Sequence, residues 1–276
     1  MDLNTITGVS RPTAREHLPA PSASTAFLGG GTWLFSEPQP HLDHLVDLSG
    51  LGWPALVASP DGLEIAATCT LAQLNAATFP PHWPAAALVQ PCCRALMGSF
   101  KVWNMASVGG NVCMALPAGP MTSLVAGLEG ECLIWCPDGT DRRVSIFDFI
   151  TGAHRTSLAP GEVLRSLHLP ARTLTRQAAL RRASLTQQGR SAVFVIGTRD
   201  PAHDDFTLAV SAALPRPRRF HFNAAPDAAT LRERLGSELS PDAYFDDLHG
   251  TPDWRRQMTL RLSEEVRAEL CGGDAP

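Results

Sequence analysis

The chain predicts an α+β protein of three units, and three observations support that reading. A first stretch runs strand, glycine loop, strand, capped helix, and stops at the Pro-rich FPPHWP (79–84). A second carries another glycine cluster, a Leu-rich helix and several strand-like runs, up to Pro170. After Pro170 the character changes, and the chain closes on an amphipathic stretch in which Trp254, Met258, Leu262 and Val266 recur every four residues.

Residues 1–84 form the first unit. Its opening is rich in Pro, Ser and Ala, with one short helix around Thr13–Leu18. FLGGGTWLF (27–35) passes from an apolar strand through a glycine loop back to apolar residues, and HLVDLSGL (44–51) follows. DGLEIAATCTLAQLNAA (61–77) is a strand running into a helix capped by Thr70 or Thr68, with Gln73 in place as a capping-box partner for Thr70.

Residues 85–170 form the second unit. AAALVQPCCRALMGSF (85–100) is helical in part, with Pro91 interrupting it. MTSLVAGLEGECLIW (121–135) reads as helix, turn at Glu129–Gly130, and strand. PDGT (137–140) makes a hairpin turn. RRVSIFDFI (142–150) and GEVLRSLHLP (161–170) are two more strands.

Residues 171–276 form the third. There QAALRRASLTQQGRSAVFVIGTR (177–199) is a helix-to-strand transition and DDFTLAVSAALP (204–215) a strand. RPRRFHFNAAPDAATLRERLGSEL (216–239) is a basic turn and an amphipathic helix, and CGGDAP a loose tail.

Composition removes several function classes. Among 276 residues, 23 Lys and Arg against 27 Asp and Glu leave a net charge of −4, too mild for a nucleic-acid or anionic-membrane partner. No apolar run approaches the roughly 18 residues of a spanning helix, and the N-terminus lacks a secretory pattern, so a cytoplasmic protein is expected. Seven cysteines without paired spacing argue against a disulfide framework. Cys92–Cys93 and the Cys132/Cys136 spacing fit no zinc or iron–sulfur pattern and read as buried thiols. His41 and His44 around Asp43 read as loop residues, since no third ligand is near.

The segment NMASVGGNVCMALPAGP (104–120) is spent on a Ser, adjacent glycines and an Asn rather than on core side chains. Adjacent glycines serve positive φ or very close approach, either to a neighbouring chain segment or to a ligand. Consecutive N–H groups in such a turn can also make a concave cradle for anionic oxygens. LGGGT (28–32) poses the same choice between plain turn and anion cradle. Neither is G-x-G-x-x-G nor G-x4-G-K-[ST]. Two such loops in successive units suggest one long diphosphate ligand clamped at their junction.

LGGGTWLFSE (28–37) followed by NMASVGGNVCMALPAGP resembles the FAD-binding medium subunit of molybdenum hydroxylases, the family of carbon monoxide, nicotine, quinoline and xanthine dehydrogenases. The likeness continues through residues 124–170, including LAPGEVL (158–164), and into the C-terminal LHGTPDWRRQMTLRLSEEVRAEL.

The resemblance implies a two-subdomain, vanillyl-alcohol-oxidase-type (PCMH-like) FAD-binding domain plus a small C-terminal α+β domain. It places FAD on Leu28, Gly29, Gly30, Gly31, Thr32 and Trp33 of the first loop and on Ser107, Val108, Gly109, Gly110 and Asn111 of the second. Leu164 matches an apolar residue against the flavin or adenine rings, and Arg181 a basic position near the isoalloxazine. Three positions depart from the family: Pro120 replaces an Asp in P-A-x-D, Trp33 an acidic residue, and Met97 an aromatic one.

The implied assembly adds a large molybdopterin subunit and a small subunit with two [2Fe-2S] clusters, as a heterotrimer or a dimer of heterotrimers. Electrons would pass from molybdenum through the clusters and FAD to an external acceptor. No Ser-His-Asp order, paired carboxylates or reactive cysteine is visible in this chain, and no metal site of its own. Two other readings stay open: a self-contained flavin oxidase or dehydrogenase of the same fold, and a non-enzymatic binding protein whose glycine loops are plain turns.

Overall fold

A computed structural model describes residues 3–272. Strands β1 (Gly8–Ser10), β2 (Thr25–Leu28) and β3 (His44–Asp47) form a parallel sheet in the order β1-β3-β2. The short helix expected near Thr13–Leu18 is a 3-10 turn, Arg15–His17. β2 ends at Leu28, so the first glycine loop springs from the carboxyl end of a parallel strand.

β4 (Leu56–Ser59) and β5 (Gly62–Ala66) open a second sheet. Helices α1 (Leu71–Ala76), α2 (Val89–Arg94), α3 (Phe100–Met105), α4 (Val108–Cys113) and α5 (Pro120–Gly127) come next. Thr70 and Gln73 make the expected capping box on α1. Pro91 does not interrupt. It sits in the first turn of α2, where a missing N–H breaks no bond within the helix.

β6 (Glu131–Trp135) and β7 (Asp141–Ser145) form the PDGT hairpin. Ser145 then caps a one-turn helix, α6 (Ile146–Phe149), by accepting from the Asp148 N–H, so 142–150 is not one continuous strand. β8 (Ile150–Gly152) and β9 (Arg155–Thr156) pair as a small ribbon, and β10 (Val163–Pro170) returns to the middle of the second sheet. The order is β4-β5-β10-β6-β7, all antiparallel.

The break expected at 84/85 is therefore not a break in the sheet. β5 lies between β4 and β10, and its buried Leu63 and Ile65 need a partner on both sides. That draws residues 56–66 into the same sheet as residues 131–170.

Beyond α7 (Ala171–Leu174), the strands β11 (Gln177–Ala183), β12 (Val193–Arg199), β13 (Phe206–Ser211) and β14 (Arg218–Phe222) form an antiparallel meander. Two expectations are corrected here. Residues 177–183 are strand, not helix: their Ala- and Arg-rich composition favours helix, but seven paired residues along β12 override it. The basic turn at RPRRF is largely strand β14, with Phe220 buried and Arg219 paired outward to Glu129 at 3.0 Å.

α8 (Ala228–Glu238) and α9 (Pro252–Cys271) cover one face of this sheet, where Leu262 and Val266 meet Val195, Leu208 and Val210. The other face lies on α5. There Phe194, Ile196 and Ala209 join the core of the second sheet, and the Ser211 hydroxyl donates to Ser123 Oγ at 2.7 Å. β13 is consequently buried at every residue, which explains its continuous apolar run. Cys271 ends α9, and residues 273–276 of the expected loose tail lie outside the described residues. No helix among the described residues is long and apolar enough to cross a membrane.

Two charge clusters hold these layers, one buried and one half-buried. Arg255, 1% exposed, donates to the carbonyls of Gly250 (2.9 Å), Ala192 (2.5 Å) and Ala212 (2.7 Å), and to Asp247 Oδ1 (2.5 Å). Arg142 grips Glu162 through two bonds of 2.7 and 2.6 Å, while the Ala159 N–H donates to the same carboxylate at 2.7 Å. The Glu of LAPGEVL is thus a clasp that folds the loop before β10 onto β7.

Arg255→Met should cost about 3–5 kcal/mol in urea unfolding, because three carbonyls and Asp247 lose their donor in the interior. Arg255→Lys should rescue little of it, since an ammonium cannot reproduce the fork. Arg142 holds the Glu162 carboxyl down at about 2, against an unfolded value of about 4.3. Its stabilisation is therefore present above pH about 4.3 and drains away as pH falls through about 2. Urea midpoints measured against pH should show Glu162→Gln weaker by on the order of 2 kcal/mol at pH 7. The gap to the parent protein should close toward pH 2.

Candidate functional site

Four stretches meet around one open cleft of about 430 Å³: the glycine loop after β2, the chain from α3 through α4 to the start of α5, residues 95–97 after α2, and the loop between β11 and β12. Close backbone approach sets the first two against each other. A Cβ on Gly30 would overlap the carbonyl oxygen of Met105, so only glycine lets the loops touch here. A Cβ on Gly109 would overlap Ala67, while the Gly109 N–H donates to the Ala67 carbonyl at 2.9 Å and the Val108 N–H to Cys69 at 2.8 Å. Both glycines answer the choice posed by the sequence in the same way: the close neighbour is chain.

The second glycine segment is not an N–H cradle, which corrects that expectation. Ser107 caps α4 by accepting from the Gly110 N–H (3.0 Å), and its carbonyl accepts from the Asn111 N–H (3.0 Å). With Val108 and Gly109 bonded to the chain leaving β5, all four N–H groups of 108–111 are committed. What this segment offers the cleft is side chain. Asn111 Oδ1 accepts from the Met121 N–H at 3.0 Å, which leaves its amide NH2 as a donor.

The first loop is the opposite case. Among the described residues, the N–H groups of Gly30, Gly31, Thr32, Trp33 and Leu34 make no hydrogen bond within the chain. Gly31 has φ 70° and Thr32 is exposed. This run of unused donors at the end of a parallel strand suits anionic oxygens. The wall between is apolar, with Leu96, Val102, Met114 and Leu116. Trp33 sits at one edge, its ring 6.3 Å from that of His154. Cys113 also lines the cleft, and burial pushes its thiol up to about 12, so it stays protonated at neutral pH.

Of the residues expected at the site, Leu28, Gly29, Gly30, Gly31, Thr32, Trp33, Ser107, Gly110 and Asn111 line the cleft. Val108 and Gly109 are buried behind it. Leu164 pairs with Ile134 inside the second sheet and packs in its core, away from the cleft lining. Arg181 is turned to the helix side of its sheet, where it pairs with Glu265 (3.2 Å) and Glu269 (2.7 Å) of α9. The cation that does line the cleft is Arg190. Nothing in TQQGRSA (186–192) marks it, since the segment has neither periodicity nor motif.

The donors, the apolar wall and the cleft's size fit part of a dinucleotide such as FAD. Gly30→Ala should force the two loops apart and weaken FAD binding at least tenfold in a fluorescence titration, with a small change in Tm. Gly109→Ala should instead destabilise the fold by about 1–3 kcal/mol in urea unfolding, because its clash lies with Ala67 in the core.

Comparison with known proteins shows the family and the fold. Residues 12–172 match the family described as FAD-binding domain in molybdopterin dehydrogenase. The nicotine 6-hydroxylase medium subunit of Paenarthrobacter nicotinovorans is 24% identical over 183 residues, which cover 61% of this chain and 62% of that subunit. Quinoline 2-oxidoreductase of Pseudomonas putida 86 superposes with a TM-score of 0.77 at 18% identity, over 95% of this chain and 96% of that one. Carbon monoxide dehydrogenase of Hydrogenophaga pseudoflava, in a form lacking the Mo-pyranopterin moiety, gives 0.77 at 17% identity over 96% and 97%. With both glycine segments inside the matched residues, the chain belongs to the family of FAD-binding domains of molybdopterin dehydrogenases.

Proposed function

We propose that this chain is the FAD-binding electron-transfer subunit of a heteromeric molybdopterin-dependent hydroxylase or dehydrogenase. The observation that carries the reading is the run of uncommitted N–H donors at Gly30–Leu34, facing Ser107 and Asn111 across one cleft in a chain of this family. In this reading the N–H groups of the first loop hold the diphosphate. The Asn111 amide and the Thr32 hydroxyl donate to neutral oxygens of the ligand, and the apolar wall keeps water from its rings.

When bound, FAD supplies a two-electron store that can exchange electrons singly with an iron–sulfur partner. The chain's own part is to bind, orient and shield. The half-buried Cys113 stays a thiol, so the flavin is held without a thiolate nucleophile in its wall. The partners are a large molybdopterin subunit and a small subunit with two [2Fe-2S] clusters, in a heterotrimer or a dimer of heterotrimers. The relative named as the medium subunit of a hydroxylase supports this division of labour.

The test is the visible spectrum of the purified chain, with chromatography of what heat releases. Intact FAD is expected, together with no turnover of organic substrates by the chain alone. A colourless protein that takes up no added FAD would overturn the reading.

A further inference from the structure

We propose that Arg190 is the cationic anchor for the diphosphate of the dinucleotide, an inference that rests on the FAD reading above. Among the described residues, the cleft is lined by neutral groups apart from this one: its polar side chains are Thr32, Ser107 and Asn111, and the remainder is backbone, Cys113 and apolar side chain. At neutral pH the oxidised ligand is charged only on its diphosphate, because the flavin and adenine rings are neutral. A single cation in a neutral wall therefore has one complementary group to meet, and the planar guanidinium fork matches phosphate oxygens.

The local structure holds Arg190 in place without using it. Arg182, on the strand β11 that leads into this loop, donates through Nε to Ser191 Oγ at 2.7 Å and through Nη2 to the Gly189 carbonyl. One arginine thereby fixes the residues on both sides of Arg190. The Gly189 N–H donates to Thr186 O and the Ala192 N–H to Ala183 O, each at 2.9 Å, which closes the loop on itself. Arg190 itself is exposed and has no ion pair or side-chain hydrogen bond among the described residues. Arg181, the other candidate cation, is consumed by Glu265 and Glu269. Arg190 also lies outside residues 12–172, so the cleft draws its charge from a part of the chain beyond the matched FAD-binding region.

The experiment titrates the flavin-free full chain with FAD and with riboflavin, which has the ring and ribityl chain but no phosphate. Parent, Arg190→Ala and Arg190→Lys are compared at low and high salt. Because the side chain is exposed and unpaired, both variants should melt with the parent.

Arg190→Ala is expected to raise the Kd for FAD roughly tenfold to hundredfold. It should flatten the salt dependence of binding, leave riboflavin binding and the flavin reduction potential unchanged, and be partly rescued by Lys. An unchanged Kd for FAD in Arg190→Ala would overturn the proposal, as would equal losses for FAD and riboflavin. A shifted potential without a change in Kd would also overturn it, by placing the cation at the ring. A parent chain that takes up no FAD would sink the FAD reading itself, and that result is distinguishable from the others.

Discussion

The site depends on how closely the Gly30 backbone approaches the carbonyl of Met105. That approach survives because the chain around Met105 is stitched to a rigid neighbour. The Leu71 N–H donates to Ala106 O at 2.9 Å, Thr70 and Ser107 form an isolated bridge, and Val108 and Gly109 donate to Cys69 and Ala67. Residues 67–71 are the exit from β5, which lies between β4 and β10 in the second sheet. The first loop hangs from β2 in a different sheet. The two sheets are joined by a cluster of Val46, Leu48 and Val163, with Trp53 set edge-on to Trp135 at 5.2 Å and Arg165 over Trp53 at 4.5 Å. A fault in either sheet would appear at the cleft as a gap between two loops that must touch.

The two glycine segments look alike in sequence but have divided their work. In the second, every N–H from 108 to 111 is bonded inward, so its glycines serve packing and the cap. In the first, the N–H run of Gly30–Leu34 is left over on a half-exposed loop, where a ligand oxygen can take the place of water as its partner. In the FAD reading proposed above, ligand binding falls to the loop whose hydrogen bonds the fold leaves incomplete. The better-bonded segment supplies the surface against which that loop is set.

This division decides what could be read in advance. The positions of both clusters, the Thr70–Gln73 box and the hairpin at PDGT follow from local chemistry that few other residues satisfy, and all three were visible in sequence. The Glu of LAPGEVL was visible as part of a motif, but its reason, the Arg142 clasp, spans twenty residues and needs the fold. Which N–H groups are spent cannot be seen without knowing where Ala67 and Cys69 lie. The break after residue 84 was misplaced because a Pro-rich turn is a local signal, whereas β5 joins β10 across about a hundred residues.

The Arg181–Arg182 pair shows most sharply where a sequence argument stops. Adjacent residues on a strand face opposite sides, so a strand assignment and a register are needed before either arginine can be given a role. In β11, Arg181 turns to α9 and its two glutamates, and Arg182 turns to the loop that carries Arg190. Read as helix, the same two residues would be separated by about 100° around the axis instead of facing opposite sides. The sheet that makes this distinction is itself seated on α5, where Gly127 lets Ile196 come close and Ser123 meets Ser211. The α5 helix begins at the cleft wall with Pro120. One helix therefore both shapes the cleft and positions the sheet whose loop brings Arg190, the only charged residue lining it among the described residues. With Arg190 as the anchor proposed above, the C-terminal third of the chain contributes to the binding site alongside the glycine loops.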